Sequence, residues 1–266
     1  MENKVNGEIT GGGAVSETHQ MDRIAPGTRV LVTGATGFTG SMLARKLCRM
    51  GLDVRAIARG SSNLKPLEDL NIRWFRGNVF DPVVVAEACE GVHYIFHVAA
   101  AYREAKYTDD MYRKVHVEST QLLAKKALEN PDFRRFVHVS TIGVHGHIPT
   151  PPADETYRFA PGDVYQQTKA DAELWIREFS KTSGLPISVI RPAAIYGPGD
   201  KRLVKIFKMA TWPVFPILGK GKCLYHLIHV EDLTQGIIRA AIHPDALGDV
   251  FICGNPEPVT LPFIAQ

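Results

Sequence analysis

The sequence predicts a doubly wound α/β fold, a parallel sheet with helices on both faces, followed by a smaller lobe. Three observations predict it. Short apolar runs alternate with stretches of helical spacing from Thr28 to Arg191, and that alternation builds parallel sheets covered on both sides. A glycine-rich turn joins the first strand to the first helix. The composition, 45% hydrophobic and 22% charged over 266 residues, is that of an average globular protein with a sizeable core.

The elements follow in order. Residues 1–27 are polar, hold a glycine triplet at 11–13 and lack a signal-like apolar stretch, so they are expected to form a flexible extension. Met21 could serve as an alternative start. Residues 29–33 read as a buried strand. Over 38–50, Met42, Leu43, Leu47 and Met50 fall at helical spacing and Gly51 provides the stop. Further strands are expected at 54–58, 72–76, 94–98, 136–141 and 187–191, with helices near 82–89, 110–129 and 164–181. Residues 28–191 thus form one sheet domain. Beyond it, Pro192, Pro198, Pro213 and Pro216 break the alternation before a helix at 231–241 and a strand at 250–253. Residues 192–266 read as a small second lobe beside the sheet.

The composition excludes several classes. A net charge of +3, from 31 basic and 28 acidic residues, gives no argument for nucleic acid or membrane partners. No apolar run reaches the roughly 18 residues needed to span a bilayer. Cys48, Cys89, Cys223 and Cys253 form no CxxC pair and read as reduced thiols of a cytoplasmic protein. The ten histidines offer no metal site: His145 and His147, like His226 and His229, have permissive spacing, but the first pair falls in a loop without acidic or cysteine partners.

The stretch Thr33-Gly34-Ala35-Thr36-Gly37-Phe38-Thr39-Gly40 follows the first strand and opens the first helix. Gly34 permits a tight turn, Gly37 lets the backbone approach a pyrophosphate, and Gly40 lets the helix pack against the strand. Backbone N–H groups from Gly34 to Gly40, including those at Thr36, Phe38 and Thr39, then receive phosphates at the positive end of the helix. The sheet is therefore of the Rossmann, dinucleotide-binding type. An acidic residue at the end of the second strand would hold the adenosine ribose of NAD. Ala58 stands there instead, followed by Arg59-Gly60-Ser61-Ser62. Arg59 and Ser61 suit a 2′-phosphate, which favours NADP over NAD.

Tyr165 and Lys169 in Tyr165-Gln166-Gln167-Thr168-Lys169 lie one helical turn apart and share a face. A tyrosine with an ordinary pKa near 10 needs an adjacent cation to act as an acid or base near neutrality. Lys169 supplies that charge, and either hydroxyl of Ser140-Thr141, at the end of a buried strand, can hold a substrate carbonyl. The same spacing occurs at Tyr102 and Lys106. Only Tyr165 lies between the Ser140-Thr141 strand and the next one, which selects it and leaves Tyr102 as a pocket wall or surface residue.

The glycine turn, Val139-Ser140-Thr141-Ile142-Gly143-Val144-His145-Gly146, the Tyr165–Lys169 pair and the run from Arg191 to Asp200 together resemble the extended short-chain dehydrogenases/reductases. That group includes NAD-dependent epimerase/dehydratases, 3β-hydroxysteroid dehydrogenases and dihydroflavonol-4-reductase-like enzymes. The resemblance runs from about Thr28 to the end of the chain. It implies that Thr141 is the hydroxyl partner, with Ser140 beside it, and that Asn78 and Val79 flank the adenine. It also implies that Ala99 and Ala100 line the dinucleotide, that Pro192 lies by the nicotinamide, and that His229 anchors the second lobe. A homodimer through the helices at 110–129 and 164–181 is implied as well. Two departures stand out, His116 where many members carry Asn and Ser119 where they carry Gly. Members also continue for several dozen residues beyond a segment like 258–261, so the substrate lobe is expected to be shortened.

Three functions are open on this reading. The first is oxidation or reduction of one alcohol or ketone on a hydrophobic substrate such as a steroid or flavonoid. The second is epimerisation or dehydration of a nucleotide sugar with NAD. The third is non-catalytic dinucleotide binding. Against the second, Ala194 replaces the usual Asn, and Tyr225 replaces the usual Arg to the diphosphate, a contact of about 1.5–3 kcal/mol. Ile142-Gly143 replaces the Asp-Glu pair of dehydratases. The apolar segment 212–218 reads as a pocket edge suited to a greasy substrate. The first function is favoured.

Overall fold

The computed structural model describes residues 23–102, 108–215, 217 and 221–264. Most of the predicted extension therefore lies outside the described residues, as do Lys106, Pro216 and Leu218.

Aliphatic runs make the strands. In β1 (Arg29–Thr33) the residues Val30, Leu31 and Val32 are fully buried, as a strand covered on both faces requires. β2 (Asp53–Ala58), β3 (Ile72–Arg76), β4 (Tyr94–His97), β5 (Arg135–Val139) and β6 (Ile187–Pro192) follow. The small strands β7 (Ala194–Tyr196), β8 (Leu224–Tyr225) and β9 (Leu227–His229) come next, then β10 (Val250–Cys253) and β11 (Val259–Thr260). Seven of them form a parallel sheet in the order β10-β6-β5-β4-β1-β2-β3. The order reverses between β1 and β4. In such sheets the crevice beyond the strand ends at that point is where ligands bind.

Alternation along β1 sorts its side chains onto the two faces. Val30 and Val32 join Leu43 and Leu47 of α1 (Phe38–Arg49) and Leu233 and Ile237 of α7 (Val230–Ile242). Leu31 joins Val85 of α2 (Pro82–Cys89) on the opposite face. Leu123 of α4 (Ser119–Leu128) and Ile176 of α5 (Val164–Ser183) complete that second cluster. α3 (Asp109–Arg113) precedes α4; α6 (Val204–Ala210) and α8 (Leu261–Ile264) lie in the C-terminal part.

Three expectations are corrected. α7 and β10, assigned to the second lobe, belong to the main layer: β10 pairs with β6 in register Val250↔Val189, and α7 covers the sheet because its buried stripe matches the open face. The smaller lobe keeps the pairs β7–β9 and β8–β11. The extension ends earlier than residue 27, since the apolar Ile24 is buried in the core and Gly27 N–H donates to Gly51 O. The helix expected at 110–129 is broken by a π-helical turn, Lys114–Glu118, between α3 and α4. There the hydroxyls of Ser119 and Thr120 donate to the carbonyls of Val115 and His116, each at 2.6 Å, holding the widened turn.

Candidate active site

One cavity of about 640 Å³ opens at the switch point between β1 and β4. Gly34, Thr36, Gly37, Phe38, Thr39 and Gly40 form its floor. Gly34 has φ +73°, and a Cβ there would come within 2.8 Å of the Ala99 backbone, so only glycine lets the turn meet the end of β4. A Cβ on Gly40 would overlap the Gly34 carbonyl. Gly37 caps α1 without a side-chain bond to the first turn. Its own Cβ position faces only the Gly34 carbonyl, at 3.2 Å. Uncapped N–H groups and an open backbone cradle fit the pyrophosphate of a dinucleotide.

Beneath the cradle a closed hydrogen-bond network fixes the end of β4. Ser119 and Thr120 spend their hydroxyl protons on carbonyls, so they accept from His97 Nε2–H at 3.2 and 3.0 Å. His97 Nδ1 then accepts from Thr33 Oγ1 at 2.7 Å, and Thr33 accepts from the Ala99 N–H at 3.2 Å. Burial keeps this ring neutral, its pKa pushed down to about 3.

α5 carries the predicted acid–base pair. Asp163 caps it by accepting from Gln166 N–H at 2.8 Å, which places Tyr165 in the first turn and Lys169 one turn later. Both line the cavity with Ser140 and Thr141 from the end of β5. Lys169 is buried, donates from Nζ to the Val139 carbonyl at 2.5 Å, and has its pKa lowered to about 8 by desolvation, against the attraction of Glu173. Thr141 Oγ1 accepts from Gly143 N–H at 3.1 Å, leaving its hydroxyl proton for another acceptor. The Ser140 hydroxyl is buried without a protein partner.

Arg191, fully buried on β6, braces the back of this cluster. It forks onto the Glu173 carboxylate of α5, with Nη2 at 2.6 Å, and donates to His145 Nε2 at 3.1 Å in the turn after Thr141.

Of the other predicted site residues, Arg59, Asn78, Val79, Ala99, Ala100 and Pro192 all line the same cavity. Ser61 does not: it is exposed, and Ser62 takes its place on the wall because the loop turns once more after Gly60. Arg76, at the end of β3, donates to the carbonyls of Arg59 and Ser62 at 3.1 and 3.3 Å and so shapes that loop. Tyr102 is a cavity wall, its ring packed edge-on against Tyr165 at 5.1 Å. His229 caps α7 and packs against Tyr196 at 5.2 Å. The apolar edge expected at 212–218 is not there among the described residues: Trp212 and Val214 are exposed, and none of that segment lines the cavity. Met111, Val115, Ile142, Ile195 and Leu203 supply the apolar lining instead, with Arg202.

His116 ties the two halves of the site together. Ala101 N–H donates to its Nε2 at 3.0 Å, so Nδ1 bears the proton and donates to Thr168 Oγ1 at 2.8 Å, whose hydroxyl passes on to the Val164 carbonyl. Its ring lies 5.4 Å from that of Tyr165, and burial holds its pKa down to about 2. The resemblance marks the position, as a departure from Asn, but the partners could not be read from the sequence because they lie 15 and 52 residues away.

A glycine cradle and a tyrosine–lysine–hydroxyl cluster opening onto one Rossmann crevice define a fold and site of the extended short-chain dehydrogenase/reductase type. The chain belongs to the NAD dependent epimerase/dehydratase family, whose sequence pattern matches residues 30–254. It is 34% identical over 175 residues to the sterol demethylase protein B of Methylococcus capsulatus, covering 65% of this chain and 53% of that protein. It is 31% identical over 248 residues to a 3 beta-hydroxysteroid dehydrogenase/Delta 5-->4-isomerase of Mycobacterium tuberculosis, covering 88% of this chain and 66% of that one. The chain thus spans between about half and two thirds of these curated relatives. Among solved structures, a dTDP-glucose 4,6-dehydratase from Streptomyces venezuelae with NAD bound superimposes with a TM-score of 0.76 at 25% identity, over 90% of this chain and 79% of that one.

Proposed function

We propose that the chain interconverts a ketone and a secondary alcohol on a small hydrophobic substrate of the hydroxysteroid or dihydroflavonol type. The observation that carries this reading is the substrate end of the cavity. Apart from Tyr102, Gln166 and Arg202 its wall is apolar, and among the described lining residues there is no Asp or Glu. A dehydration needs a positioned acid and base beside Thr141; Ile142-Gly143 stand there and can neither give nor take a proton. The likeness to a dTDP-glucose 4,6-dehydratase supports the nucleotide-sugar epimerase or dehydratase as the second reading.

A bound nicotinamide dinucleotide supplies or takes up the hydride. The residues of the chain handle the oxygen. Thr141 donates its hydroxyl to the substrate oxygen while the Gly143 N–H holds the Thr141 oxygen in place. Tyr165 gives its proton to the same oxygen as negative charge builds there, and Lys169, ammonium at neutral pH, lowers the cost of the phenolate left behind. We assign NADP as the preferred cofactor, because Ala58 offers no carboxylate to a ribose while Arg59 and Ser62 line the wall beside Arg76. The chain is read as a cytoplasmic protein, with its four thiols unpaired. Pairing as a homodimer would use the outer faces of α4 and α5, where Leu128 and Leu174 are exposed.

The test is turnover of secondary alcohols with NADP+ and NAD+, of ketones with NADPH and NADH, and of nucleotide sugars with NAD+. Tyr165→Phe is expected to bind dinucleotide but lose turnover, Thr141→Ala to lose roughly a hundredfold, and Ser140→Ala to lose less. NADPH is expected to bind more tightly than NADH, and Arg59→Ala to narrow the gap. Full activity in Tyr165→Phe would overturn the assignment of the proton donor. Turnover of nucleotide sugars alone would establish the second reading.

A further inference from the structure

We propose that Arg202 makes this cavity selective for a substrate that carries a carboxylate near its reacting carbinol. The inference rests on the alcohol–ketone reading above and adds the charge of the substrate to it.

Arg202 lines the cavity at its rim, with its side chain 41% exposed. Asp200, itself buried, accepts backbone N–H bonds from Arg202 and Leu203 at 2.9 and 2.8 Å, fixing the turn that leads into α6. The same carboxylate accepts from Arg202 Nε at 3.4 Å, and the Ile195 carbonyl from Nη2 at 3.4 Å. The planar group lies 4.8 Å above the ring of Tyr102. That ring packs on Tyr165 at 5.1 Å, so two contact steps separate the cation from the proton donor. A guanidinium stacked on an aromatic face keeps its plane while its edge remains able to bond an anion, and its fork matches a carboxylate.

Charge decides the class of anion. The cationic lining residues are Arg59, Lys169 and Arg202. Arg59 sits at the far end, beside β2, and Lys169 is buried against the Val139 carbonyl. Among the described lining residues one cation therefore serves the substrate end, which matches the single charge of a carboxylate. Asp200 and the Ile195 carbonyl hold one edge of the guanidinium at long distances, 3.4 Å each, and leave its remaining N–H groups to a carboxylate that an uncharged substrate lacks. The competing role is a contact to the cofactor, since Gly199 lies beside the ring of Phe38 in the cradle.

The experiment compares kcat/KM for hydroxy acids and their methyl esters on steroid, flavonoid and straight-chain skeletons at saturating NADP+. The parent is expected to prefer the acid by about tenfold or more on at least one skeleton, the usual discrimination of a charge-assisted fork. Arg202→Met should bring that ratio close to one, with dinucleotide affinity by calorimetry within about twofold of the parent. Arg202→Lys should retain part of the preference, and Tyr102→Leu, which removes the shelf, should lower it. The proposal is overturned if no acid is preferred, if Arg202→Met keeps the ratio, or if that variant loses dinucleotide affinity instead. If the panel is not turned over at all, calorimetry on the parent–NADPH complex separates the two readings. Tighter binding of an acid than of its ester would sink only the reaction assigned above, and equal binding would sink both.

Discussion

At Gly40 and Gly37 the missing side chains have different consequences. A Cβ on Gly40 would collide with the Gly34 carbonyl, backbone against backbone, so α1 would have to move away from β1. Gly40→Ala is expected to cost roughly 1–3 kcal/mol of stability, as overpacking does, and to abolish dinucleotide binding, both read by urea unfolding and calorimetry. Gly37 faces the opening, where a branched side chain meets little protein. Gly37→Val should leave unfolding nearly unchanged and abolish binding alone; a variant that kept its dinucleotide affinity would show that the phosphates lie elsewhere. The glycines were legible in the sequence because strand, turn and helix follow one another along the chain. Ser62 and Arg202, which line the cavity, and Arg76, which shapes the loop after β2, were not, since their places depend on loop geometry and strand pairing.

The π-helical turn between α3 and α4 shows what periodicity conceals. Apolar spacing continues through residues 110–129 and reads as one helix, whereas the break depends on two hydroxyls bonding carbonyls four residues back. The turn places His116 between the Ala101 backbone and Thr168 of α5. His116→Leu would strand the buried Ala101 N–H, at about 1–3 kcal/mol, and remove the donor to Thr168, whose own bond to the Val164 carbonyl remains. With the first turn of α5 less firmly held, kcat is expected to fall more than dinucleotide affinity does. His116→Asn, which can still accept from the Ala101 N–H, should recover part of kcat; no recovery, or an equal loss in binding, would show a purely structural role. The Tyr165–Lys169 turn itself was readable from spacing and from its place between two strands.

Across the whole molecule, the layer below Lys169 holds three buried neutral histidines, His97, His116 and His138. Burial pushes His97 down to about 3, His116 to about 2 and His138 well below its ordinary value. In the unfolded chain each titrates near 6.5. Their contribution to stability is therefore intact above that pH and is lost as the pH falls below it, because only the unfolded chain takes up protons. At about 1.4 kcal/mol per histidine per pH unit, unfolding free energy should drop by about 4 kcal/mol between pH 7.5 and 5.5. Urea titrations at the two values measure it, and a flat profile would mean that the histidines are protonated in the fold. The sheet was legible as a doubly wound layer, but its completion by α7 and β10 was not, because prolines after Arg191 suggested a change of unit. Strand order carries a consequence for synthesis. β1 to β6 have all left the peptidyl transferase centre once Pro192 is added, yet the part of one face over β5 and β6, with Val137 and Ile190, lacks its cover until Leu233 and Ile237 of α7 are made. At roughly 5–20 residues per second the ribosome needs several seconds to cover that stretch. Throughout that interval Val137 and Ile190 wait for the helix that will bury them.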